Sequence, residues 1–170
     1  MTRAEAFQCA QLLSTPSAAI DFDGAREIRN GWYFPWFFPG KPLVRSHGVI
    51  VDARTRKVVK LGAAFSLERD LRAFEAGYPL RHASLIVTAV TDERRTIEIL
   101  QQLRVSKVEP KVVDGVTWQM PIPFSALELQ AKLHELPANF GVIQVYFAVE
   151  LLDSAKQGAC FSFELKEVET

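Results

Sequence analysis

The stretch Gly31-Trp32-Tyr33-Phe34-Pro35-Trp36-Phe37-Phe38-Pro39 places six aromatic side chains in seven consecutive positions. Aromatic residues favour β-strands and bury large apolar areas, so the stretch predicts a strand over Trp32–Phe38 that organises a core. Pro35 lacks a backbone N–H, which favours an edge position or a bulge. Only the weakly acidic Tyr33 can ionise here, so the stretch favours packing or protein contact over catalysis.

Alternation along this strand divides the aromatic side chains into two sets. Trp32, Phe34 and Trp36 should share one face, and Tyr33 and Phe37 the opposite face. Two alternatives stay open. Either both faces are covered by helices, or one face is an open contact patch flanked by Arg45, Arg54, Arg56 and Lys57, since aromatics with arginines are typical of interface hot spots. The candidate partner-binding residues are Trp32, Tyr33, Phe34, Trp36, Phe37, Arg54, Arg56 and Lys57.

The flanking sequence predicts the rest of an N-terminal half. A helix over Thr2–Leu13 begins with a capping box formed by Thr2 and Glu5. A short strand around Ala25–Ile28 turns at Asn30-Gly31 into the aromatic strand. A hairpin then joins Gly48–Asp52 to Val58–Gly62 through the basic loop 53–57, and Ser66 begins a helix that ends at Gly77.

The C-terminal half follows a different order of elements. The patterns predict a strand over Ser84–Val90, a helix capped by Thr91 or Asp92 and a strand pair over Val105–Met120 that turns at Asp114-Gly115. A second capping box, Ser125 to Glu128, begins another helix. Strands are predicted over Val142–Leu151 and Phe161–Val168. The fold class is therefore α+β, with residues 1–80 as one half and residues 84–170 as a ferredoxin-like β-α-β-β-α-β half with an extra strand.

Composition excludes several classes of function. The 170 residues contain 20 basic and 20 acidic side chains, so the chain lacks the basic excess on which sequence-independent nucleic-acid binding relies. No apolar stretch approaches the roughly 20 residues that span a bilayer. Charged Arg3 and Glu5 interrupt the N-terminus where a signal peptide would be apolar. We therefore expect a soluble cytoplasmic protein with Cys9 and Cys160 as reduced thiols, and neither nucleic acid nor membrane as a partner.

No catalytic, cofactor-binding or metal-binding pattern stands out. His47, His82 and His134 lack the spacing of metal ligands, and no cationic neighbour activates Cys160. The pair Asp21 and Asp23 is explained by turn chemistry. Glycine-rich phosphate loops and the known hydrolase motifs do not occur. The sequence predicts a binding protein that is not an enzyme.

Three strings carry a resemblance to a known family. They are Asn30-Gly31-Trp32-Tyr33-Phe34, then Ser46-His47-Gly48-Val49-Ile50-Val51-Asp52, and then Lys60-Leu61-Gly62-Ala63-Ala64-Phe65-Ser66-Leu67-Glu68. Together they resemble the immunity protein 35 family of bacterial toxin systems, over the first half of the chain only. The resemblance implies a small α+β protein that binds and neutralises a cognate toxin in the cytoplasm without a reaction of its own.

Two other interpretations remain open at this stage. The aromatic strand could mediate homo-oligomerisation, a homodimer included, in a structural or scaffolding module. Alternatively, a pocket between the halves could bind a small ligand or carry out hydrolysis.

Overall fold

The computed structural model describes residues 1–40, 47–62 and 66–168. The chain divides into two compact units, Met1–Ala76 and Gly77–Thr170, close to the predicted halves 1–80 and 84–170. Helices and mainly antiparallel sheets occur in both units, which confirms the α+β class. Arg45, Ser46 and Ala63 to Phe65, which took part in the sequence interpretation, lie outside the described residues.

The described residues of the first unit form two helices and five strands. In chain order they are α1 (Arg3–Gln11), β1 (Ala19–Ile20), β2 (Arg26–Ile28), β3 (Gly31–Phe37), β4 (Gly48–Asp52), β5 (Val58–Lys60) and α2 (Leu67–Glu75). The strands form one antiparallel sheet in which β3 pairs with β4 along its length and with β1 and β2 on its other side. The predicted aromatic strand therefore lies in the middle of the sheet, and Pro35 falls between its pairing with β2 and its pairing with β1.

Two glycines of the family-like strings are required by the close approach of β3 and β4. A Cβ at Gly31 would lie 2.2 Å from the Val51 carbonyl oxygen. A Cβ at Gly48 would lie 2.0 Å from the Phe34 carbonyl oxygen, and the Gly48 φ of +146° is one that other residues rarely adopt. Both positions therefore need glycine for the strands to pair.

The predicted helix and turn signals are largely confirmed. Thr2 and Glu5 form the capping box of α1, Asn30 has the positive φ of 73° that its turn needs, and Gly77 follows α2 at a φ of 76°. Ser66 occupies the N-cap of α2 without a side-chain capping bond; its hydroxyl donates to the Glu68 carboxylate at 3.1 Å.

In the second unit, the part of the chain that the structure describes, up to residue 168, forms three helices and five strands. They are β6 (His82–Val90), α3 (Glu93–Gln102), β7 (Ser106–Val113), β8 (Val116–Pro123), α4 (Ala126–Leu133), β9 (Ala138–Gln144), α5 (Val145–Gln157) and β10 (Phe161–Glu167). Strand β6 lies at the centre of a three-stranded sheet of order β10-β6-β9, while β7 and β8 form a separate two-stranded hairpin. The hairpin turns at Asp114-Gly115, both with positive φ, and Ser125 with Glu128 forms the predicted capping box of α4.

The strand predicted over Val142–Leu151 is wrong beyond Gln144. From Val145 the chain is helical, and the buried positions Val145, Ala148, Val149, Leu152 and Ala155 recur at helical spacing. The prediction failed because a short run of β-branched and aromatic residues looks the same in a buried strand and a buried helix.

The ferredoxin-like detail is not confirmed. That arrangement would unite four strands in one sheet, whereas in the described part of the chain β7 and β8 pair only with each other. The additional strand β10 instead pairs with β6 along its length. The order of elements along the chain does not decide which strands share a sheet, because that depends on long-range pairing.

The aromatic strand supplies a matched stability test. Phe34 is fully buried, whereas Phe37 three residues later is 55% exposed. We expect Phe34→Ala to lower the free energy of unfolding by about 3–5 kcal/mol, because it leaves a cavity in the core. Phe37→Ala, the control, should cost about 0.5 kcal/mol or less, as for most surface changes. Urea unfolding of both variants measures this, and equal losses would contradict the burial assigned to the strand.

Candidate protein-binding surfaces

One face of β3 packs against the first helix. Trp32, Phe34 and Trp36 point to the side that carries Ala6 and Ala10 of α1, and Phe34 lies at the centre of this cluster. The indole N–H of Trp32 donates to the Met1 carbonyl oxygen at 3.3 Å. This face is therefore buried along most of its length, as expected from the alternative in which helices cover the aromatic strand.

The opposite face of β3 is also covered, except at its end. Tyr33 is 5% exposed, and Ile50, its partner on β4, is fully buried. The Tyr33 hydroxyl donates to the His47 carbonyl oxygen, and the Arg26 guanidinium lies 5.2 Å from the centre of the Tyr33 ring. Burial raises the pKa of the Tyr33 phenol. Only Phe37, at the end of the strand, is an exposed member of this set.

The five aromatic residues predicted to bind a partner differ in exposure. Tyr33 and Phe34 are buried, Trp32 and Trp36 are half-buried, and Phe37 is exposed. The Trp36 indole N–H is buried and has no hydrogen-bond partner among the described residues. The Lys60 ammonium lies 5.6 Å from the Trp36 ring centre, within reach of a cation–π contact. The most exposed aromatic side chain of this set is therefore Phe37, at the end of β3, next to the half-buried Trp36.

The basic loop between β4 and β5 has a rigid backbone. The Asp52 carboxylate accepts hydrogen bonds from the backbone amides of Arg54 at 2.7 Å and Thr55 at 2.8 Å, and the Arg56 amide donates to the Asp52 carbonyl at 2.9 Å. Burial alone would raise the pKa of Asp52, but these amide hydrogen bonds outweigh it and hold the pKa below its usual value. Arg54, Arg56 and Lys57 are all exposed. The loop therefore presents three cations from one fixed turn.

The aromatic and the basic candidates lie at opposite ends of the sheet. Gly31 pairs with Asp52, so the loop after Asp52 adjoins the start of β3, whereas Phe37 is at its other end. At 3.3 Å per residue, Phe37 lies roughly 20 Å from the loop. The structure therefore does not bring Phe37 together with Arg54, Arg56 and Lys57 in one patch.

Sequence reasoning missed a second exposed surface, the β7–β8 hairpin. All residues from Lys111 to Pro121 are exposed, and they include large apolar side chains, with Trp118 at 56% exposure. The sequence prediction places the hairpin in a ferredoxin-like sheet, where helices would cover the side chains of one face. The sequence did contain a signal, because apolar residues occur at both even and odd positions of these strands. Neither face of the hairpin is therefore uniformly polar, as a solvent-facing side of a sheet usually is.

Register assigns the hairpin side chains to two faces, because directly paired residues lie on the same side. The Trp118 face consists of Lys107, Glu109, Lys111, Val113, Val116, Trp118, Met120 and Ile122. The proline face consists of Ser106, Val108, Pro110, Val112, Thr117, Gln119, Pro121 and Pro123. The proline face carries no ionisable side chain, whereas the Trp118 face combines aromatic, sulfur and charged groups.

The base of the hairpin is anchored. The Lys107 ammonium contacts the Glu128 carboxylate of the α4 capping box at 2.6 Å, and this contact, with the Ser125 hydrogen bonds, lowers the pKa of Glu128 to about 2. A Cβ at Gly141 of β9 would lie 2.5 Å from the Ser106 carbonyl oxygen, which shows how closely the two strands approach. Contacts at the base therefore hold the hairpin while its distal part is exposed.

The fold defines an α+β protein, and each unit exposes a candidate contact surface. In comparisons with family models, curated proteins and solved structures, no match to this chain was found. Within the described ranges, no group of three or more His, Cys, Asp or Glu side chains is placed to hold a metal ion. Nor does any described helix have the length and apolar character needed to cross a membrane.

A buried carboxylate in α2 supplies a prediction of pH dependence. Asp70 is 4% exposed, and burial raises its pKa from 3.8 to about 6, with the nearby His47 charge acting in the opposite direction. Between these two pKa values the folded protein binds more protons than the unfolded chain. The free energy of unfolding should therefore fall as the pH rises from about 4 to about 6, and Asp70 should add no further change above that.

Asp70→Asn removes this ionisation. Relative to the wild type, we expect the variant to gain about 2 kcal/mol of stability between pH 4 and pH 7.5. Urea unfolding at pH 4, 5, 6 and 7.5 measures the difference, with the exposed Glu135→Gln as the control variant. A stability difference that stays constant over this range would show that Asp70 is not buried in its charged form.

Proposed function

We propose that this protein is an immunity protein, which binds a toxin protein stoichiometrically and blocks it without catalysing a reaction. The observation that carries the proposal is the rigid β4–β5 loop with three exposed cations, Arg54, Arg56 and Lys57, on one turn. A preformed turn loses little conformational entropy on binding, so its charges contribute to affinity at low cost. The expected binding site on the toxin is an acidic surface.

The family-like strings support the same proposal through the fold. Gly31 and Gly48 are the positions at which β3 and β4 come too close for any side chain, so these strings specify the sheet that carries the loop. The mechanism would be occlusion, in which the bound protein covers the active cleft of the toxin in the cytoplasm. A complex of standard size buries about 1,600 Å² in total and needs no cofactor.

The first experiment identifies the partner. The tagged protein is recovered from its native cells, bound chains are identified by mass spectrometry, and the purified pair is sized by chromatography. The recovered partner should form a one-to-one complex, and it should arrest growth when expressed alone but not when expressed with this protein. A partner that is harmless when expressed alone, or no partner at all, would contradict the proposal.

The second experiment tests the basic loop. Arg54→Glu with Lys57→Glu should weaken binding to the toxin at least tenfold, mainly through slower association, because exposed interfacial charges act most on the on-rate. Arg81→Glu with Lys166→Glu, which reverses two exposed charges in the other unit, is the matched control. Both double variants should melt at the wild-type temperature. If both double variants lost the same affinity, the effect would come from the change in net charge, and the loop would not be part of the interface.

The homo-oligomeric module stays a second candidate, since an exposed hairpin with an apolar surface favours self-association. The two candidates are compatible, because the basic loop and the hairpin belong to different units.

A further inference from the structure

We propose that the β7–β8 hairpin is a homodimerisation arm, whose Trp118 face stacks on the Trp118 face of a second copy of this chain around a two-fold axis. This inference does not depend on the proposed toxin binding, because it uses residues of the second unit only.

The first argument is exposure. Val108, Val112, Val116, Trp118 and Met120 are each at least 40% exposed. On the Trp118 face, Val113, Val116, Trp118 and Met120 together expose on the order of 400 Å² of apolar side chain, within the range of the largest patch on a typical monomer. A two-stranded hairpin is at best marginally stable alone in water. The β7–β8 hairpin would therefore be stabilised if a partner surface covered one of its faces.

The second argument is that the strand edges disfavour addition of a further strand. Proline has no N–H, so Pro110, Pro121 and Pro123 fit the positions whose backbone amides would point away from the neighbouring strand of the hairpin. The outer edge of each strand therefore lacks some of the donors that an added strand would need. Proline on an edge discourages pairing with another chain. Contact through a face of the hairpin is therefore favoured over strand addition.

The third argument selects the face. The proline face is uncharged and lacks the Trp, Tyr or Arg side chains that dominate interface energetics. The Trp118 face carries a tryptophan and a methionine beside charges of both signs. Lys111 on this face forms no ion pair with any described residue, whereas Lys107 is paired with Glu109 and Glu128. Lys111 is therefore free to pair with a second copy.

The fourth argument fixes the register. In the proposed dimer, the hairpins of the two copies stack face to face and run antiparallel, so that the rest of each molecule lies at the opposite end of the stack. Their charges are complementary when the two-fold axis passes between the pair Glu109–Met120 and the pair Lys111–Trp118. Glu109 then faces Lys111 of the second copy, and Trp118 faces Met120 of the second copy, each twice by symmetry. Moving the axis by one residue in either direction opposes Lys111 to Lys111 or Glu109 to Glu109. Such like-charge contacts disfavour these two neighbouring registers.

The buried area predicts a weak, reversible dimer. Each strand of eight residues is about 27 Å long, so two stacked faces bury about 1,000 Å² in total, at the lower limit for a specific interface. The formal net charge of zero means that two copies do not repel each other at long range. We therefore expect a micromolar dissociation constant.

Sedimentation equilibrium of the full chain tests this between about 1 μM and 500 μM, a range that brackets a dissociation constant expected in the micromolar range. The wild-type average mass should rise from 19.1 kDa toward twice that value as the concentration increases. Lys111→Glu places two glutamates opposite each other in the dimer and should raise the dissociation constant at least tenfold. Glu109→Lys combined with Lys111→Glu restores the opposite charges across the axis but loses the Lys107–Glu109 ion pair within each chain, so the dissociation constant should fall again relative to Lys111→Glu alone.

Two further variants separate the faces. Trp118→Ala should abolish the dimer, while Val112→Thr on the proline face, a change of similar shape at an exposed site, should leave it intact. Circular dichroism and thermal melting confirm that each variant is folded. A wild-type protein that remains monomeric at 500 μM overturns the proposal, and so does a charge-swapped double variant that stays as weak as Lys111→Glu.

Discussion

Burial of Phe34 between α1 and the sheet is the interaction on which the first unit depends. Phe34 is completely buried in a cluster with Ala6, Ala10 and Val49, and it fixes which face of the aromatic strand is core. Because side chains alternate along a strand, that one assignment also places Trp32 and Trp36 beneath α1 and sends Tyr33 to the other side. The remaining accessible features, Phe37 and the basic loop, are then separated by the length of β3.

The second unit is organised around β6, which pairs with β10 between Ala83 and Val90 on one side and with β9 between His82 and Val87 on the other. This arrangement leaves β7 and β8 outside the sheet. Their outer edges carry prolines where an added strand would need amide donors, so the hairpin resists edge-to-edge aggregation while keeping an apolar surface. The unit thus combines a buried core with an exposed hairpin that carries apolar side chains on both faces.

Local signals in the sequence were reliable wherever a few neighbouring residues decide the structure. The capping boxes at Thr2 and Ser125, the positive-φ turns at Asn30 and Asp114-Gly115, and the β4–β5 hairpin all lie where the sequence placed them. The helix after Gln144 was missed, because its first residues, Val145, Tyr146 and Phe147, favour strands and are helical here only through packing of the buried face of α5. Of the predicted contact residues, the exposure of Arg54, Arg56 and Lys57 followed from a polar loop, whereas the burial of Tyr33 and Phe34 required knowing what covers the sheet.

By itself the sequence determined the α+β class, most helix and turn positions and the balanced charge, since each follows from local spacing or composition. The tertiary structure alone decided which strands share a sheet, which aromatic side chains are buried and that Trp118 lies on an exposed arm. Pairing partners and burial are set by residues far apart in the chain. A local pattern such as the alternation of β8 is the same whether its face is covered or open.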